Sequence, residues 1–324
     1  MIDRARVLHL GGTSALAIGT ALAFIPVEAN ACSASANMSG RTIVSVDVVC
    51  DSEDVAQTYA TSVDDAYDGN GDDTVVMRDG SVFNNPDYFT PGEFEGIRLD
   101  QSTGVIELLG GDDRFEMYDG MIGEMADPVG VSLGAGADTF HMSGGTITGS
   151  VFGLGGSDTF TIGGGTIYGS LFAGSENDTV TISGDADIQG DVTVGPDSVG
   201  LEDGDDTFDM TGGVLGGAVS GGRGGDLLTI SGGMIGSFVA GNQGADQITV
   251  SGGTIGGDVI GGEDDDVITI DGGAIATNVS GDDGNDQINV SAGTIGGDVS
   301  GGTGDDSLVV SGGTIAGSVF GLGG

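Results

Sequence analysis

The chain predicts an all-β fold, a right-handed parallel β-helix (a solenoid) of about 20 residues per coil. Three observations carry that prediction. A phrase of 20 residues recurs five times between Gly221 and Phe320. One aspartate keeps its register, as Asp226, Asp246, Asp266, Asp286 and Asp306. Apolar residues stand two, four, nine and thirteen places after each marker, as Ile248, Val250, Ile255 and Val259 do after Asp246. A fixed period of this size marks a repeat architecture, in which no single copy buries its own apolar face and stacking buries all of them.

Each element of the coil follows from the phrase. The apolar pair at offsets two and four has strand spacing, with both side chains on one face. These residues are mostly β-branched, which favours a strand. Gly-Gly pairs such as Gly252-Gly253 interrupt the pattern about every 10 residues and open turns. Stacked coils then lie about 4.8 Å apart, the spacing of strands in a sheet. A β-propeller is the rival, but its blades need about 40 residues and four strands each.

Taken in order, the chain divides into residues 1–31, 32–133 and 134–324. Residues 1–31 read as a secretory signal: Arg4 and Arg6 precede a mostly apolar run from Val7 to Phe24, and Ala29-Asn30-Ala31 is a small-x-small cleavage site. An N-terminal anchor helix is the alternative, but Gly11, Gly12 and Gly19 interrupt the run. Cleavage there would leave Cys32 first. A lipid-modified cysteine is one reading, although Ala29 stands where lipoprotein signals usually carry leucine. A disulfide between Cys32 and Cys50, the two cysteines of the chain, is the preferred one, since an exported protein meets oxidising conditions. It would tie down the N-terminal end of the rod, where a strand edge needs a cover.

Residues 32–133 are an irregular cap with first coils. Asp68 to Asp73 and Gly110 to Asp113 are repeat loops; Asp73 and Asp113 are 40 apart, which leaves room for two coils. Pro86, Tyr88, Phe89, Pro91 and Phe94 break the pattern and read as a lateral loop or part of the cap. From Asp138 the markers continue as Asp158, Asp178 and Asp206. The step of 25 from Asp113 to Asp138 implies an insertion near Glu124 to Pro128. The step of 28 before Asp206 implies eight extra residues, mostly in Thr193 to Asp203. Gly317 to Gly324 repeats Gly149 to Gly156 and stops where the next aspartate is due, so further coils are expected beyond it.

Composition excludes whole classes. Glycine is 68 of 324 residues without a period of three and with only five prolines, so a collagen is excluded. Fifty acidic residues against seven basic ones give a net charge of −43, and there is no lysine. Nucleic acid needs a basic footprint, and anionic lipid repels such a surface. The charge instead favours solubility and cations.

The loops Gly221 to Leu228 and Gly301 to Leu308 read Gly-Gly-x-Gly-x-Asp-x-apolar, with near matches at Gly241 to Ile248 and Gly281 to Ile288. This resembles the repeat of the RTX family, which binds calcium between stacked turns. The resemblance implies Asp206, Asp226, Asp246, Asp266, Asp286 and Asp306 as calcium ligands. Calcium is a hard cation that takes six to eight oxygens. The pattern departs from RTX in that the second half-coil, Ser-Gly-Gly-Thr-Ile-x-Gly-x-Val, has no aspartate in the ligand place, and Asp264 and Glu176 replace the third glycine. A solvated acidic edge that keeps the rod soluble is the competing reading, and it is preferred.

A signal peptide, an early cysteine pair and Gly-Asp-Asp/Ser-Gly-Gly-Thr-Ile coils together resemble the passengers of bacterial autotransporters. That resemblance implies a rod carried to the outer membrane or beyond the cell by a downstream β-barrel, with a host or neighbouring-cell surface as partner. The leading expectation is thus an exported structural rod in adhesion or surface presentation. The alternative is an RTX-like secreted protein that folds on calcium outside the cell. An enzyme is not expected: the repeat holds one arginine (Arg223) and one histidine (His141), and its aspartates follow the period. An ice-binding threonine array is set aside: Thr159-x-Thr161 and Thr179-x-Thr181 fit it, but later coils replace them with Leu227, Gln247 and Val267.

Overall fold

The computed structural model describes the backbone of residues 8–10, 13–18, 21–25, 32–39, 42–50, 74–77, 82–83, 98–100 and 105–107, and side chains as well for 108, 110–123, 128, 130–195 and 204–321. Every regular element among them is a strand. They fall into two compact units, Met1–Gly153 and Leu154–Gly324.

The second unit is a parallel β-solenoid. Its Asp226 coil shows the plan: a first strand Leu227–Ile230, a second Met234–Ile235 and a third Val239–Gln243. Each pairs in parallel with its own copy 20 residues on, as Leu228↔Ile248, Ile235↔Ile255 and Val239↔Val259. First and second strands share one sheet and third strands form another, with the core between them. The four apolar offsets point into that core. Leu228, Ile230, Ile235 and Val239 are fully buried, as are Ile248, Val250, Ile255 and Val259. Each contributes about 1.5–3 kcal/mol of burial, so the coils hold one another rather than themselves.

The 28-residue step resolves into two insertions. Ile162 pairs with Ile182 at a spacing of 20, but Thr166 pairs with Asp187 at 21, so one residue enters between Ile182 and Asp187. Val192 pairs with Val219 at 27, which places the other seven between the third strand and Asp206. Residues 196–203 themselves lie outside the described residues.

In the first unit, Phe115, Met117 and Ile122 occupy the core offsets after Asp113, and Phe115 stacks on Phe140 with ring centroids 5.4 Å apart. The 25-residue step arises after Ile122: Ile122 still pairs with Ile147, whereas the third strand begins only at Gly130.

The room for two coils between Asp73 and Asp113 holds one. Thr74 pairs directly with Arg114, and Val82 with Met121. The third-strand place is taken by Val105–Glu107, which pairs with Gly130–Ser132 and also folds back antiparallel on Arg98–Asp100. A hairpin satisfies its own backbone, so it takes up residues without lengthening the stack.

A hairpin of Cys32–Ser39 and Thr42–Cys50 lies along the edge of Thr74–Met77, with Asp47 opposite Thr74. Its register sets Cys32 opposite Cys50. The disulfide itself concerns side chains outside the described residues, as does the cleavage site at Ala29 to Ala31. Leu8–Leu10, Thr13–Ile18 and Ala21–Ile25 form a separate antiparallel sheet.

Candidate functional site

The marker aspartates form a column at the corner between the third strand of one coil and the first strand of the next. Two left-handed backbone positions make the corner, four and two residues before each marker from Asp226 to Asp306. They are Gly302 (φ 115°) and Gly304 (φ 130°) before Asp306. Glycine takes this conformation without strain. Elsewhere the same positions hold Asn242 (φ 85°), Asp264 (φ 78°) and Asp282 (φ 77°), so the corner is kept where glycine is not.

The tight corner turns each aspartate inward and along the stack. The backbone N–H of each marker donates to Oδ1 of the next: Asp206 to Asp226 at 2.9 Å, Asp226 to Asp246 and Asp246 to Asp266 at 2.8 Å, Asp266 to Asp286 at 2.9 Å, Asp286 to Asp306 at 3.0 Å. Asp158 and Asp178 extend the ladder within this unit, and Asp113 donates to Asp138 at 2.7 Å in the first unit. Thus all six candidate ligands, Asp206 to Asp306, are brought into one column.

This corrects the solvated-edge reading for the markers. Asp246, Asp266 and Asp286 are each 1% exposed. The motif places the aspartate beside a turn, but the turn closes over it. Oδ1 is used in the ladder, while Oδ2 of Asp246, Asp266 and Asp286 is buried without a hydrogen-bond partner. Each Oδ2 lies against the first glycine of its own loop. A Cβ built on Gly241, Gly261 or Gly281 would collide with it. The same Cβ on Gly261 would stand 2.7 Å from the carbonyl oxygen of Gly281, so carboxylate and carbonyl oxygens converge on that glycine.

The electrostatics follow from burial. Burial pushes the Asp246 carboxyl up to about 7; the ladder bond from Asp226 opposes this, and the charges of Asp226 and Asp264 add to it. Asp266 is pushed up to about 8 by burial, against the bond from Asp246, with Asp246, Asp286 and Asp264 repelling it. Asp286 is raised for the same reasons, with Asp306, Asp265 and Asp282 as the repelling charges. In the first unit burial raises Asp138 to about 6.

The opposite corner carries a second ladder that the repeat pattern did not disclose. Asn278 donates its N–H to Asp258 Oδ1 at 2.8 Å, Asp298 to Asn278 Oδ1 at 2.9 Å, and Ser318 to Asp298 Oδ1 at 2.7 Å. Burial works against ionisation of Asp258, but bonds from Thr277 and Asn278 outweigh it and lower its pKa. The signal is a column twelve places after the markers, Asp258, Asn278 and Asp298, hidden by its change of residue type. The first unit adds one group off the repeat: Glu116 accepts from Arg114 Nε at 2.8 Å and from the Tyr118 hydroxyl at 3.2 Å, beside the His141 ring.

The donor set suits a hard cation: carboxylate and carbonyl oxygens with a carboxylate oxygen unused. Among the described residues no group of three or more His, Cys, Asp or Glu side chains is clustered to hold a metal, so backbone carbonyls would have to complete any shell.

Fold and corner together define the class, a parallel β-solenoid repeat protein. The chain is similar in structure to a hyperactive, Ca2+-dependent, β-helical antifreeze protein from an Antarctic bacterium, known from its crystal structure. The TM-score is 0.55 at 24% identity, over 82% of this chain and 80% of that one, a likeness of fold. No protein-family model and no curated protein matches the chain.

Proposed function

We propose that the chain is an exported, non-enzymatic structural rod whose acidic corner takes up calcium outside the cell. The observation that carries this reading is the column of buried aspartates in which Oδ2 of Asp246, Asp266 and Asp286 has no partner. A bound divalent cation supplies positive charge to stacked carboxylates that otherwise repel. Asp206, Asp226, Asp246, Asp266, Asp286 and Asp306 would supply the charged oxygens, with carbonyls such as that of Gly281 beside them. The β-helical neighbour described as Ca2+-dependent supports the reading. So does a net charge of −43, which draws cations to the surface. In this reading the rod presents its loops at a bacterial surface, in adhesion, as an autotransporter passenger does.

Melting the full chain in calcium and in EGTA tests the calcium claim. Calcium at about 100 times its Kd adds about 2.7 kcal/mol for each independent site, so the melting temperature should rise clearly. Equal melting curves in both buffers, with no heat of calcium binding, would refute it. Adhesion is tested separately, by binding of the chain to cells.

Ice binding is a second reading, favoured by one observation. Thr229, Thr249 and Thr269 stand in register on the outer face of the first-strand sheet. Asp209 and Asn289 bound this run. Thermal hysteresis in a solution of the chain would support that reading, and freezing at the equilibrium point would end it.

A further inference from the structure

A groove crosses four coils on the outer face of the third-strand sheet in the second unit, and the calcium reading does not use it. It runs over Val239–Gln243, Val259–Glu263, Val279–Asp283 and Val299–Thr303. Ala240, Ile260, Ser280 and Ser300 stand in register along its floor. Three of the four are small, which sinks the floor between taller rims. Phe238, 41% exposed, stands on one rim. The other rim is the in-register column Gln243, Glu263, Asp283 and Thr303.

The groove is apolar at one end and acidic along the rest. Phe238, Ala240 and Ile260 give the apolar end. Glu263, Asp282 and Asp283 give the charge, and no cationic residue lines it. Arg223 stands in the rim column one coil before Gln243, outside the groove. The carboxylates are fixed from within the chain: Gln243 Nε2 donates to Glu263 Oε2 at 3.2 Å, Thr303 Oγ1 to Asp283 Oδ1 at 2.8 Å, and the Ser280 hydroxyl to Asp282. A carboxylate has about four acceptor sites, so one such bond orients it and leaves acceptors for a ligand.

We propose that this groove binds an extended basic peptide, with one apolar side chain on Phe238 and Ile260 and Lys or Arg side chains on Glu263, Asp282 and Asp283. Three coil steps of about 4.8 Å span roughly 14 Å, the length of about four extended residues. Charge complementarity selects the occupant: a row of carboxylates without a cation repels acidic partners and steers basic ones. The chain's overall negative charge attracts any cation weakly and everywhere. The apolar end, set beside the carboxylates, adds a contact that diffuse charge attraction does not supply.

The probe is a fluorescein-labelled Leu-Arg-Arg-Arg peptide, titrated with the full chain at low salt in calcium-containing buffer and followed by anisotropy. Saturable binding that weakens with added salt is expected. Glu263→Gln combined with Asp283→Asn should weaken it at least fivefold, and Ile260→Ser at least threefold. Asp209→Asn with Asp271→Asn, acids outside the groove, should leave it unchanged. Ile260 is a surface residue, and an unchanged circular dichroism spectrum confirms that its variant folds. Equal weakening by both pairs of acid variants would mean diffuse attraction and overturn the proposal. So would an Ile260→Ser variant that binds like the parent, or displacement of the peptide by neutral cellohexaose, which would make the occupant a glycan.

Discussion

Asp266→Asn should stabilise the calcium-free chain at alkaline pH and do nothing at acid pH. Asparagine keeps the ladder, since Asn278 and Asn285 already accept the next coil's N–H through Oδ1 at 2.9 Å. What the change removes is a charge. Burial, opposed by the bond from Asp246 and reinforced by Asp246, Asp286 and Asp264, holds the Asp266 pKa at about 8 against an ordinary 3.8. The folded chain therefore binds this proton more tightly than the unfolded one. The group's favourable contribution is complete below about pH 4 and is lost as the pH rises through about 8. A displacement of four units corresponds to about 5 kcal/mol. Solvent screens the charge of the exposed Asp264, and the corner relaxes in part, which leaves about 2–3 kcal/mol. The variant should then melt on the order of 5–10 °C above the parent near pH 9 in EGTA, and together with it near pH 4. Circular dichroism melts at both pH values are the assay. Calcium should reverse the order at high pH, because the parent alone offers the full carboxylate. A variant less stable than the parent at both pH values in EGTA would show that Oδ2 is needed as an acceptor, and the reasoning from repulsion would fail.

Three further outcomes follow from the same packing. Gly281→Ala should destabilise the chain by about 2–3 kcal/mol through overpacking and blunt its response to calcium, because its Cβ meets both Asp286 Oδ2 and the Gly301 carbonyl; urea melts with and without calcium would show both effects. Ile255→Ala empties a fully buried position and should cost about 2–5 kcal/mol, read as a lower urea midpoint. Asp258→Ala should cost about 0.5–1 kcal/mol at neutral pH by removing the partner of the Asn278 N–H. The Asp258 pKa is lowered, so its stabilisation is present above the ordinary carboxylate range and lost as pH falls through the folded value. Urea melts at neutral and strongly acid pH should therefore show the difference only at the first.

The core was legible because it depends on side-chain type alone: the four offsets after Asp246 name four fully buried residues. The corner was legible in part. The column of Asp206 to Asp306 could be counted, but its burial could not. A Gly-rich acidic loop reads as solvated until the chain is seen to turn its aspartates inward. Two features escaped for different reasons. Counting residues between Asp73 and Asp113 assumes that each coil takes 20, and a hairpin from Arg98 to Glu107 breaks that assumption. The second ladder escaped because its column changes residue type, from Ala218 and Phe238 to Asp258, Asn278 and Asp298. Asp and Asn become equivalent there only through the bond each accepts at Oδ1.

Asp264 brings the corner's energetics to one residue. It sits at φ 78°, where a side chain costs roughly 1 kcal/mol and glycine nothing. Glycine stands at the matching places 244, 284 and 304. Asp264 also repels Asp246 and Asp266, adding to the raised pKa of each. In a cation-free chain both effects are unfavourable, so a solenoid selected for stability alone would carry glycine here. A cation at the corner changes the sign of the second effect, since each added carboxylate then strengthens its hold. Asp264→Gly should accordingly raise the melting temperature in EGTA and weaken calcium binding by calorimetry. A variant that is less stable in EGTA and binds calcium as the parent does would remove the reason for an aspartate at this place.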